Sequence, residues 1–87
     1  MSTKIVEITR AQCRAGRALL DMTQSQLAEL AELGLSTVVD FERDRRQASA
    51  AAVEAIQQAL KRMGVDFIDE NGGGPGVRLR KRQRRKD

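Results

Sequence analysis

The 87-residue chain contains no histidine, tryptophan or tyrosine, only one cysteine, one proline and two phenylalanines. Without histidine, the side chain that most often moves protons near neutral pH is missing. Cys13 has no base partner, no carboxylate pair sits in an apolar setting, and no cluster has metal-ligand spacing. The run Gly72-Gly73-Gly74-Pro75-Gly76 lacks the Gly-Lys-Ser/Thr of a phosphate-cradling loop, and no capped helix follows it. An enzyme is therefore not expected, and neither a cofactor nor a metal is implied. A single cysteine cannot close an intrachain disulfide, and Cys13 falls on the apolar side of a predicted helix. Its expected role is that of a small buried hydrophobe rather than a redox sensor. No apolar run is long enough to cross a bilayer. The first ten residues, MSTKIVEITR, hold no signal-peptide hydrophobic region, so a cytoplasmic location without a membrane partner is expected.

With so few aromatics, aliphatic side chains must build the core. One domain is the expectation at this length, and a domain this small often gains stability by oligomerising. The formal charge is +4, unevenly placed. Residues 1–70 carry nine Lys/Arg against eleven Asp/Glu, whereas residues 71–87 carry seven Lys/Arg against Asp87 alone. The high isoelectric point thus belongs to the tail. A basic tail fits polyanion binding, or is a solvated end.

The spacing predicts four helices. Thr9 and Gln12 form a T-x-x-Q capping box at the start of a helix from Arg10 to Leu20. Thr23 and Gln26 repeat that box for a helix from Gln24 to Ala31, followed by a tight turn at Glu32-Leu33-Gly34. A third helix is predicted from Leu35 to Arg43, with Val38 and Phe41 inward, and a fourth from Ala50 to Met63, capped by Ser49. The pairs Ile8/Cys13, Met22/Leu27, Leu33/Val38 and Ala48/Val53 all stand at hydrophobic-staple spacing. Leu27, Leu30 and Ala31 form the expected inward stripe of the second helix, and Val53, Ile56, Leu60 and Met63 that of the fourth. Arg17 lies on the apolar face of the first helix, where a buried arginine needs an acidic partner. Beyond Gly64 the pattern alternates: 65–68 and 77–80 read as a β-hairpin around the glycine-rich loop, with Phe67, Val77 and Leu79 on one face and Asp66 across from Arg78 or Arg80. The organisation read from the sequence is an arm over 1–8, a helical domain over 9–64, the hairpin over 65–80 and a disordered basic tail over 81–87. Lys4 to Ile8 suits either a short strand or frayed coil.

A capped helix, a tight turn and a second short helix over 23–43 follow the grammar of a helix-turn-helix. Three features carry a closer likeness: T-Q-x-Q-L-A at Thr23–Ala28, the turn at Glu32–Gly34, and S-T-V-x-x-F-E-R at Ser36–Arg43. From about Ile8 to Leu60 the chain resembles the Cro/phage-repressor, or XRE-like, class of DNA-binding proteins. The resemblance implies a mainly α, four-to-five-helix repressor-like domain, to which this chain adds its hairpin. It also implies that Arg17 pairs with Glu42 as a structural ion pair, and that Gln24 contacts phosphate from the start of the second helix. The chain departs from the class at Gly34, where Ser or Thr usually caps the third helix, at Asp44, where Gly is common, and at Arg45–Ala48, which lack the usual proline.

A helix entering the major groove leads with its N-terminal residues, so Leu35 and Ser36, then Val39 and Asp40, are the expected base contacts. Ser36 can bond several bases, Leu35 and Val39 can meet thymine methyls, and Asp40 can accept from cytosine, unless it is only a solvated charge. No Arg, Asn or Gln lies on this stretch for bidentate reading. Phosphates are expected at Arg43, Arg45, Arg46 and the first amides of the second helix, at Gln24 and Ser25. The alternative for Arg43 and Arg45 is local pairing, with Asp44 for instance; Arg10 and Arg14 are read as surface residues. Two half-sites on duplex DNA call for a homodimer, placed at the far end of the fourth helix and at Phe67, Ile68, Val77 and Leu79, unless these close over the monomer core. The functional expectation is a sequence-specific transcriptional regulator, a repressor by the habit of the class. Its rivals are an antitoxin- or antiactivator-type module that binds a protein partner, and a non-specific nucleic-acid binder acting through the tail.

Overall fold

The computed structural model describes residues 7–80; the first part of the predicted arm and the predicted disorder of 81–87 lie outside the described residues. Four helices are followed by two strands: α1 (Arg10–Leu20), α2 (Gln24–Ala31), α3 (Leu35–Arg43), α4 (Ala50–Arg62), β1 (Val65–Ile68) and β2 (Gly76–Leu79). The mainly α class and the added hairpin are as the sequence reading has them.

Each helix begins where a side chain satisfies its first free amides. Thr9 accepts from the Gln12 amide at 3.0 Å while the Gln12 side chain accepts from the Thr9 amide at 2.9 Å, and Thr23 with Gln26 repeats both bonds at the same distances. Gly34 caps α3 without a side-chain bond, and Ser49 accepts from the Ala52 amide at 3.1 Å. Helices α1, α2 and α3 all end on a left-handed residue that is not glycine: Asp21, Glu32 and Asp44, with φ of 58°, 59° and 57°. This conformation is uncommon outside glycine. It closes each helix through backbone bonds, such as Leu33 N–H to Ala28 O at 2.9 Å and Arg45 N–H to Asp40 O at 2.9 Å. The missing glycine at position 44 therefore leaves the turn after α3 intact.

All four staple pairs enter one core. Ile8, Cys13, Leu27, Val38 and Val53 are buried, and Met22, Leu33 and Ala48 pack against them. Ile56, Leu60 and Val65 complete the centre, fully enclosed. Gly16 lets α1 approach α4 and β1 closely, since a Cβ there would meet Leu60 Cδ1 at 3.3 Å. Two expected inward residues face out instead: Leu30 and Met63 are 38% and 47% exposed. At about 100° per residue, Leu27, Ala28 and Ala31 occupy one arc of α2 and Leu30 falls at its edge. Met63 caps the end of α4, beyond the last inward turn.

The strands pair antiparallel, Val65 with Leu79 and Phe67 with Val77, which puts these four on the face opposite Asp66 and Arg78. Asp66 bonds Arg80 at 3.2 Å and lies 3.9 Å from Arg78. The hairpin lies against α1 and α4, with Phe67 and Val77 packed on the core. Its latch is Gln12, 6% exposed, whose side-chain amide donates to Gly76 O at 2.9 Å and to Ile68 O at 3.3 Å. A capping residue thus fastens the sheet as well as α1. Replacing Gln12 by Ala removes both roles; a loss of roughly 1–3 kcal/mol is expected from urea unfolding. Hydrogen exchange should then quicken in the hairpin more than in α4.

Candidate nucleic-acid interface

The carboxylate of Glu42 lies 2% exposed at the end of α3 and takes four side-chain donors. Arg17 grips it as a fork, Nε to Oε2 and Nη2 to Oε1, both at 2.7 Å. The Cys13 thiol donates to Oε2 at 3.0 Å and the Gln24 amide to Oε1 at 2.9 Å. The third Arg17 nitrogen donates to Met22 O at 3.0 Å, and Arg14 donates to the Glu42 backbone carbonyl at 2.8 Å. One residue thereby joins the body of α1, the start of α2 and the end of α3.

Burial alone would raise the pKa of Glu42, but the hydrogen bonds from Arg17, Cys13 and Gln24, with the attraction of the Arg17 charge, outweigh it and hold the carboxyl below its ordinary value. Burial, then the bond to Glu42, pushes the Cys13 thiol far up. Cys13 is thus the small buried residue expected, and a hydrogen-bond donor as well. The sequence reading assigned no part in this cluster to Cys13, Arg14 or the Gln24 side chain. No buried side-chain polar atom among the described residues lacks a partner.

The clamp fixes which way α3 faces. Val38 and Glu42 point in, and Phe41 is half-buried against the core. Leu35, 47% exposed, and Ser36 stand clear of the core on the first turn, and Val39 and Asp40 lie half-exposed beside them. Arg43, Arg45 and Arg46 are exposed and form no ion pair among the described residues. Asp44 is taken by Arg10, at 3.0 Å, so it does not pair with Arg43 or Arg45.

The capping box of α2 uses the amides of Thr23 and Gln26 and leaves those of Gln24 and Ser25 open. Gln24 lines an open cleft of about 540 Å3 together with Arg14, Arg17, Asp21, Glu42 and Arg43. The structure therefore brings Gln24 and Arg43 together, while Ser25, Arg45 and Arg46 lie outside that lining. Gln24 spends one side-chain N–H on Glu42, and an amide nitrogen carries a second.

Glu42→Ala strands a largely buried guanidinium and should cost about 3–5 kcal/mol in urea unfolding, whereas Arg17→Met with Glu42→Leu should cost far less. Because the folded pKa of Glu42 is depressed, its contribution is complete above the unfolded carboxyl value of about 4.3 and is lost as pH falls through the folded value. Glu42→Gln should flatten that acid limb of the stability curve.

A helix-turn-helix family model matches residues 14–67, a span that holds Arg17 and Glu42, the turn, all of α2 to α4 and most of β1. No curated protein matches the chain. No helix among the described residues is long and apolar enough to cross a membrane. Capped α2, a turn without glycine at its left-handed position, and an outward α3 clamped through Arg17 and Glu42 make the same unit in three dimensions that the family model matches in sequence: the chain belongs to the XRE/Cro-like helix-turn-helix family of DNA-binding transcription regulators.

Proposed function

We propose that the protein is a sequence-specific repressor that binds duplex DNA as a homodimer, with α3 laid in the major groove. The observation that carries this is the exposure of Leu35 and Ser36 on the first turn of a helix whose other end is locked by Glu42. Leu35, Ser36, Val39 and Asp40 meet base edges; the first two lead into the groove. Arg43, Arg45 and Arg46 follow and take phosphates, which supply much of the affinity. The open amides of Gln24 and Ser25 at the positive end of α2 take another, Gln24 lying next to Arg43 in the cleft. The basic residues from Arg78 through the tail add contacts of no sequence preference.

The dimer contact is placed at the far end of α4. Leu30 and Met63 line an open groove with Leu20 and Met22. Leu79, 48% exposed, pairs with Val65, two residues beyond Met63. Phe67 and Val77 back this edge from the hairpin while also serving the protomer's own core, and Ile68 adds apolar surface on the sheet's other face. Leu79→Glu should separate protomers in sedimentation without unfolding them, whereas Phe67→Glu should also lower stability.

Footprinting on the gene's own upstream DNA, with unrelated competitor, tests the reading on the full chain and on a chain lacking 81–87. Two protected half-sites that survive tail removal are expected, with a flatter salt dependence. Protection lost with the tail would mean non-specific binding. Absence of protection by either form, with a co-purifying protein, would point to a protein-binding module. Arg45→Ala should lower affinity evenly across sequences and reduce the salt slope by about one.

A further inference from the structure

The outward side of α3 offers no Arg, Asn or Gln before Arg43, so by itself it cannot make the bidentate contacts that discriminate best. The segment after α3 supplies what is missing. Left-handed Asp44 reverses the chain, and Arg45 N–H bonds back to Asp40 O at 2.9 Å. Ala48 then packs against the core and Ser49 caps α4. The chain therefore runs back along α3 toward its first turn. Ser36, Thr37 and Asp40 of α3 line one open groove of about 370 Å3 together with Arg46, Gln47 and Ser49. Gln47 is exposed, and its side chain takes part in no hydrogen bond among the described residues. Its neighbour Ala48, packed against the core, holds its backbone in place.

We infer that Gln47 is a specificity-determining residue, reading a base beside those met by Ser36 and Asp40, so that the reading surface is a composite of α3 and the segment that follows it. A glutamine amide matches the paired acceptor and donor on the major-groove edge of adenine. This inference rests on the proposed DNA reading and deepens it.

Selection from a randomised duplex pool, on the full chain and on Gln47→Ala, tests it. The wild-type protein should select an adenine in each half-site at a position flanking those set by α3. Gln47→Ala should lower that preference about tenfold, a factor within the range of one bidentate contact, and leave the other positions and the salt slope unchanged. An unchanged preference in Gln47→Ala overturns the inference while the DNA reading stands. So does an even loss of affinity with a lower salt slope, which is the mark of a phosphate contact. A wild-type protein that selects no sequence overturns the inference and the DNA reading together. Gln47→Asn, a shorter amide, should keep less of the preference than the wild type, and equal urea midpoints for all variants keep folding out of the comparison.

Discussion

Four donors converge on one buried carboxylate, and the orientation of α3 follows from that convergence. Taking the Glu42 charge out of water is costly, and a buried ion pair is often no more stable than apolar side chains of the same volume. What the pair supplies is direction. Arg17 presents a planar fork that meets the carboxylate in one geometry, and Gln24 and Cys13 occupy the remaining acceptor sites at 2.9 and 3.0 Å. An apolar contact between α1 and α3 would allow rotation about the helix axis; this one does not. With Val38 inward on the preceding turn, Leu35 and Ser36 are left facing solvent.

The same economy of parts appears at the hairpin. A two-stranded sheet is marginal in water by itself. Here Val65 is fully enclosed, Phe67 and Val77 lean on the core, and Gln12 bonds across both strands from inside α1. The start of α1 and the end of the sheet are thereby a single mechanical unit. The far edge, where Met63 and Leu79 are exposed, remains as apolar surface, as do Leu19, Leu30 and Leu35 on the helices.

The elements were legible because local chemistry specifies them. Two T-x-x-Q boxes, the Ser49 cap and the four staple pairs mark starts, and each works as read. The hairpin register follows from alternation, including Asp66 opposite Arg78. The fork between Arg17 and Glu42 was available only through likeness to the repressor class, since the two residues sit on different helices. What stayed hidden is longer in range or finer in angle. Nothing local tells that Gln12 reaches residues 68 and 76, that Cys13 and Gln24 donate to Glu42, or that Arg14 caps α3. Leu30 and Met63 were placed inward by residue type, and the helical arc and the helix end decide otherwise. Left-handed Asp21, Glu32 and Asp44 carry no clear signal, because glycine is the residue such positions advertise.

The functional account reduces to a rigid frame that holds one short helix outward for a duplex to meet. Its most direct test is a backbone-amide chemical-shift titration of the full chain with a duplex carrying the protected site. Large changes at Leu35–Asp40 and at Gln24 and Ser25, with the amides of α4 nearly unmoved, are the predicted result. Changes confined to the hairpin and the basic tail, with α3 silent, would contradict it.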